Sequence, residues 1–212
     1  MKKALLVVVG IAFVCFTAAD AHAVKNDTGK WALHNAGAHN SKTNNCTLTI
    51  IDCSTEINTF GGIGGAREDI YVIAVDVEGI AGTRYGICCD GPVYFYGWTK
   101  CSDFEIPSGG WPGCGEANAQ TWGAEVPGPH VTVGILDTYT YGTTQCLSVC
   151  ADPRVGFAEF CDGSEPSPIC FSTTSSPHFG SIEFNGSGCG YNPCNVVPVE
   201  QRSWGAVKSI YR

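Results

Sequence analysis

The densest chemistry in this chain lies in its cysteines: Cys46, Cys53, Cys88, Cys89, Cys101, Cys114, Cys146, Cys150, Cys161, Cys170, Cys189 and Cys194, with a thirteenth, Cys15, near the N-terminus. An even set at irregular spacing is the signature of disulfides in an oxidising compartment. Zinc is the competing chemistry for thiolates. No C-x2-C knuckle occurs, however, and Cys146-x3-Cys150 alone is a weak ligand pair. We therefore expect disulfides, with no metal site and no cofactor. Proximity in sequence suggests Cys46–Cys53, Cys101–Cys114, Cys161–Cys170 and Cys189–Cys194 as local loops. Cys88, Cys89, Cys146 and Cys150 would then join two distant segments.

A second set of residues could bind rather than react. Tyr94, Tyr96 and Trp98 alternate along one strand-like stretch, with Val93, Phe95 and Gly97 on the other face. If Val93 and Phe95 face the core, the aromatic trio forms a flat platform, and aromatic faces stack well on the apolar faces of sugars. The alternative is that the trio caps the core beneath the Pro/Gly loop that carries Trp111. Catalytic patterns are weaker. His34, His39, His130 and His178 make no metal-binding helix pair. Gly186-Ser187-Gly188 sits in a Cys-flanked turn and reads as a tight bend, not a nucleophile elbow. Asp103, Glu105, Glu116, Asp137 and Glu159 could supply the paired carboxylates of a glycoside hydrolase, but nothing in their setting selects two.

The elements that must hold these residues belong to an exported chain. Lys2 and Lys3 precede an apolar run, Ala4 to Ala19, and Ala21-His22-Ala23 gives the small-x-small pattern of a signal-peptidase site. This predicts a leader at 1–23 that is cleaved, and not a membrane anchor, since the run is short for a bilayer span. Cys15 lacks the small residues before it that lipoprotein processing prefers. Losing two lysines and one aspartate takes the net charge from −8 to −9. That sign excludes nucleic acid as a partner, because phosphates demand clustered Lys and Arg. No second long apolar segment follows, so no transmembrane span is expected after cleavage.

Low charge and 27 glycines favour short strands and tight turns over helices. Residues 24–45 are polar and read as an entry strand or a loop, with one apolar island, Trp31 to His34. Cys46 to Asp52 alternates as a strand would. Ile70 to Val77 is apolar on both faces and predicts a central strand covered on both sides. Further strands are expected at 81–89, 93–98, 119–125, 130–138, 155–161 and 181–185. Strands at this spacing, punctuated by Gly and Pro, predict an all-β, disulfide-stabilised antiparallel β-sandwich over 24–195. The tail at 196–212 changes character: Ser203 is a plausible N-cap, and Trp204, Val207, Ile210 and Tyr211 share one side of a short helix.

Two stretches carry resemblances. Ile70 to Gly82, "IYVIAVDVEGIAG", followed by "RYGI" and an aromatic strand, resembles the opening hairpin of cohesin-like sandwiches, which implies a cohesin-like or Ig-like fold. Cohesins are not cysteine-rich in this pattern, so no partner-binding residue carries over. "GWTKCSDFEIPSGGWP" and the closing "VPVEQRSWGAVKSIYR" resemble uncharacterised cysteine-rich secreted proteins of environmental bacteria. The reading that results is a non-catalytic secreted or cell-surface protein, binding or structural, recognising a glycan or another surface protein. Tyr94, Tyr96, Trp98 and Trp111 are its candidate contact residues. A secreted glycan hydrolase using paired carboxylates is the alternative, and the terminal helix is either a docking or sorting handle or a segment folded onto the sandwich.

Overall fold

A computed structural model describes residues 25–43, 45–62, 65–174 and 176–195. The expected leader and C-terminal helix lie outside the described residues. In chain order the described elements are β1 (Lys30–Ala38), α1 (Cys53–Glu56), β2 (Arg67–Val75), β3 (Gly79–Asp90), β4 (Tyr94–Lys100) and β5 (Phe104–Pro107). They continue with β6 (Glu116–Pro127), β7 (His130–Tyr139), β8 (Gln145–Cys150), β9 (Ala158–Cys161), β10 (Cys170–Thr173) and β11 (Ser181–Phe184). All ladders between them are antiparallel. Among the described residues no helix is long and apolar enough to cross a membrane.

The strands form two sheets, in line with the expected sandwich. One has the order β1-β2-β7-β4; the other runs β10-β9-β3-β6-β5, with β8 also on β3 and β11 on β8. Between them lies the main core, where Leu33, Ile70, Val72 and Leu136 of the first sheet meet Ile80, Tyr85, Ile87, Leu147 and Phe160 of the second. Trp31 of β1 stacks on Phe160 with ring centroids 3.6 Å apart, tying the two layers together. Each such side chain contributes about 1.5–3 kcal/mol by leaving water.

Strand β2 is apolar on both faces because the first sheet is covered twice. Its outer residues Tyr71, Ile73 and Val75 pack with Ala32 and Ile135 beneath Ile50, Cys53 and Ile57. That cover comes from the segment expected to be a strand at Cys46–Asp52. The segment instead leads as a loop into the one-turn helix α1, whose N-cap Asp52 accepts a hydrogen bond from the Ser54 amide at 2.9 Å. Of the Thr/Ile alternation there, Ile50 alone is buried, and with Cys53 and Ile57 it forms a lid, not a sheet. The lead-in at residues 30–38 is a full strand, with Trp31, Ala32 and Leu33 wholly buried.

All twelve cysteines among the described residues pair: Cys46–Cys101, Cys53–Cys194, Cys88–Cys150, Cys89–Cys114, Cys146–Cys189 and Cys161–Cys170. Of the four local loops expected from proximity, Cys161–Cys170 alone forms, across the β9–β10 hairpin. The others give way to topology. Cys101 follows β4 in one sheet while Cys114 precedes β6 in the other, and Cys53 sits on α1, where the end of the described chain comes to meet it. Cys88 and Cys89 are neighbours on one strand, so they face opposite sides and take partners in different places. Cys89 packs against the core, and its bond to Cys114 ties the start of β6 to β3.

Candidate functional site

Strand β4 departs from the simple alternation that predicted an aromatic trio. In its ladder with β7, Phe95 pairs with Thr138 and Gly97 with Asp137, leaving Tyr96 as an extra residue in a β-bulge. The bulge puts Tyr94 and Tyr96 on the outer face, 47% and 57% exposed, but turns Trp98 inward. There Trp98 packs edge-on to Trp111 with centroids 5.1 Å apart, and its indole Nε1 donates to Glu105 Oε2 at 2.9 Å. Trp111 in turn lies edge-on to the buried Tyr85. The four candidate contact residues thus divide. Tyr94 and Tyr96 hold the surface, while Trp98 and Trp111 pack against the core.

Two tyrosines not singled out by sequence complete the outer group. Tyr139 ends β7 opposite Tyr94, and Tyr141 follows it, 64% exposed. The rings meet edge to face: Tyr94 with Tyr141 at 5.0 Å, Tyr139 with Tyr141 at 4.6 Å, and Tyr96 with Tyr139 at 6.1 Å. The Arg67 guanidinium at the start of β2 lies 4.9 Å from the centre of the Tyr96 ring. Together these side chains form a ledge of four aromatics with a cation at its side.

Beside the ledge is a cavity of about 410 Å³ with a mixed lining, whose walls include His39, Asn45, Asp69 and Asp137 as well as Trp98 and Ile135. Its floor is set by register, since Asp69 of β2 stands directly opposite Asp137 of β7. Both are nearly buried. His39, just beyond β1, brings its Nδ1 within 2.8 Å of Asp69 Oδ1 and 3.6 Å of Asp137 Oδ2. The Asn40 amide donates to Asp69 Oδ2 at 2.9 Å, and Arg67 Nε to Asp137 Oδ1 at 3.0 Å. A second guanidinium nitrogen of Arg67 reaches Asp137 Oδ2.

Of the five carboxylates considered from sequence, Asp137 alone faces this cavity. Glu105 points between the sheets, where it accepts from Trp98 and from Asn118 at 2.8 Å, and it helps push the Tyr85 phenol, already raised by burial, well above the ordinary tyrosine value. Glu116 is held by Ser108, Glu159 lies 3.4 Å from Arg84, and Asp103 accepts the Gly123 amide at 2.7 Å. Asp69, the true neighbour of Asp137, was not among them. Its sequence signal was an acid at the edge of an otherwise apolar strand. The other described histidines make backbone contacts. His34 accepts the Asn58 amide, and burial lowers its pKa against the opposing pull of Glu56; His130 and His178 lie 2.8 and 2.9 Å from the carbonyls of Ile50 and Gly29.

No protein-family model matches the chain, and no curated protein matches it. Two solved structures are similar to it. A cohesin module of a family 33 glycoside hydrolase from Clostridium perfringens aligns with a TM-score of 0.40 at 9% identity, over 60% of this chain and 91% of that one. A type I cohesin–dockerin complex from Clostridium thermocellum aligns with a TM-score of 0.43 at 10% identity, over 73% of this chain and 93% of that one.

Proposed function

We propose that this domain is a non-catalytic recognition module, secreted or displayed at the cell surface, and that its ligand is a glycan. The observation that carries this reading is the ledge of exposed Tyr94, Tyr96 and Tyr141 with half-buried Tyr139, beside Arg67. Edge-to-face aromatics with a neighbouring guanidinium and two carboxylates offer what a sugar needs: apolar faces for its C–H surface, and donors and acceptors for its hydroxyls. The six disulfides are consistent with an extracellular address.

What supports binding over hydrolysis is the state of the carboxylates. Asp69, Asp137 and the His39 ring offer atoms within 4.8 Å of one another. That is shorter than both the roughly 5–5.5 Å of retaining and the roughly 6.5–9.5 Å of inverting glycosidases. Asp137 is also engaged by a guanidinium on both oxygens, the bidentate arrangement of an ion pair.

The test is affinity electrophoresis of the purified chain through gels containing soluble polysaccharides. The double variant Tyr94→Ala/Tyr96→Ala removes exposed side chains only, so its melting temperature should stay close to that of the parent. Its affinity for the retarding polysaccharide should fall at least about tenfold, as expected when central aromatic contacts are lost. Equal retardation of parent and variant would discard the ledge as the binding surface.

A further inference from the structure

We infer that His39, Asp69 and Asp137 form a binding site for one divalent cation of the zinc type. Three described clusters bring together at least three side chains of metal-ligating type. In two of them, Cys53 with Asp76 and His130, and Glu159 with Cys161 and Cys170, every sulfur is already consumed in a disulfide. The third offers one imidazole nitrogen and two carboxylate oxygens, all unmodified.

The spacing of these donors matches a metal's inner sphere. Zinc holds nitrogen and oxygen ligands at about 2.0–2.2 Å, so neighbouring donors in a tetrahedron around it stand roughly 3.3–3.6 Å apart. His39 Nδ1 lies 3.6 Å from Asp137 Oδ2, at that spacing, and 2.8 Å from Asp69 Oδ1, a hydrogen bond that a metal between the two would replace with a slightly wider separation. A second observation concerns the surroundings. The donors do not lie on open surface but in the wall of the 410 Å³ cavity, where three protein ligands would leave a coordination position facing inward, with Ser41, Asn45 and Thr99 around it. A third concerns support. The Asn40 amide holds Asp69 Oδ2, the kind of outer contact that orients a metal ligand. Arg67 instead engages both oxygens of Asp137 and competes with a metal for that carboxylate. The two aspartates stand directly opposite on adjacent strands, where a bridging cation would answer both charges at once. The imidazole nitrogen favours zinc over calcium, which prefers oxygen donors alone.

The experiment is calorimetric titration of the purified, chelator-treated chain with zinc chloride, paired with cobalt(II) titration followed by visible absorption. The expected result is saturable uptake of one zinc per chain, with cobalt bands that zinc displaces. His39→Ala removes the nitrogen donor at a side chain 29% exposed, so the fold should survive and zinc affinity should fall at least about tenfold. Arg67→Gln removes a competing cation and leaves every donor in place, so its affinity should equal or exceed that of the parent. No saturable uptake by the parent, or uptake by His39→Ala as tight as the parent's, would overturn the site. The inference does not rest on the glycan reading: Tyr94→Ala/Tyr96→Ala should bind zinc unchanged, so either proposal can fail alone.

Discussion

Asp152 has no solvent exposure, yet it remains an ion. Burial alone would push its carboxyl up, but hydrogen bonds from the Arg154 guanidinium and amide, with Arg84 3.9 Å away, outweigh that and hold it below the ordinary aspartate value. The unfolded carboxyl takes up its proton near pH 4 and the folded one only at lower pH. The interaction therefore stabilises fully above about pH 4, and its contribution is lost as pH falls through the folded value. Asp152→Asn should lower the melting temperature at pH 7, and the gap from the parent should narrow steadily on acidification below pH 4. Melting curves from pH 7 to pH 2 check this; a gap independent of pH would assign the loss to packing. At this scale the sequence was partly legible. Twelve cysteines announced disulfides, but Asp69 and His39 were passed over because each is unremarkable until register sets it beside Asp137.

The bulge in β4 shows how one extra residue redirects a strand. Seen as a string, Tyr94-Phe95-Tyr96-Gly97-Trp98 alternates without fault, and nothing local reveals that Tyr96 has no partner on β7. The partner strand supplies the reason. Gly134 leaves a space that the Trp98 ring fills, and a Cβ built on Gly134 would fall 2.0 Å from Trp98 Cη2. Gly134→Ala should therefore destabilise by about 1–3 kcal/mol through overpacking. Trp98→Leu in the same chain should recover part of that loss, because the clash is with the indole. Urea denaturation of the single and double variants measures the coupling, and strictly additive losses would contradict the contact. Strands with strong patterns, β2, β3 and β7 among them, were legible because burial on known faces dictates their composition. Strand β5, with Phe104 and Ile106 exposed on a sheet edge, was not, since its pairing and not its pattern makes it a strand.

For the molecule as a whole, disulfide loop length ranks the staples. Cys53–Cys194 closes 141 residues and fixes the lid over the first sheet, whereas Cys161–Cys170 closes 9 within one hairpin. By chain entropy the long closure stabilises by about 5 kcal/mol and the short one by about 2.5 kcal/mol. Paired replacement by serine should follow that order, with Cys53→Ser/Cys194→Ser the more costly in guanidinium unfolding; a reversed order would mean that the lid contributes little. The sandwich itself was foreseeable from spacing and punctuation, but its connections were not, because pairing depends on which strands end up as neighbours. The same non-consecutive pairing bears on biosynthesis. If the chain is exported as proposed and emerges N-terminus first, Cys53 is the first sulfur that Cys46 can reach, and Cys89 lies next to Cys88. An oxidase that joins thiols in order of arrival would make five wrong bonds and one right one, Cys161–Cys170. On that route, maturation would need less an oxidant than an isomerase able to undo early bonds until residue 194 has arrived.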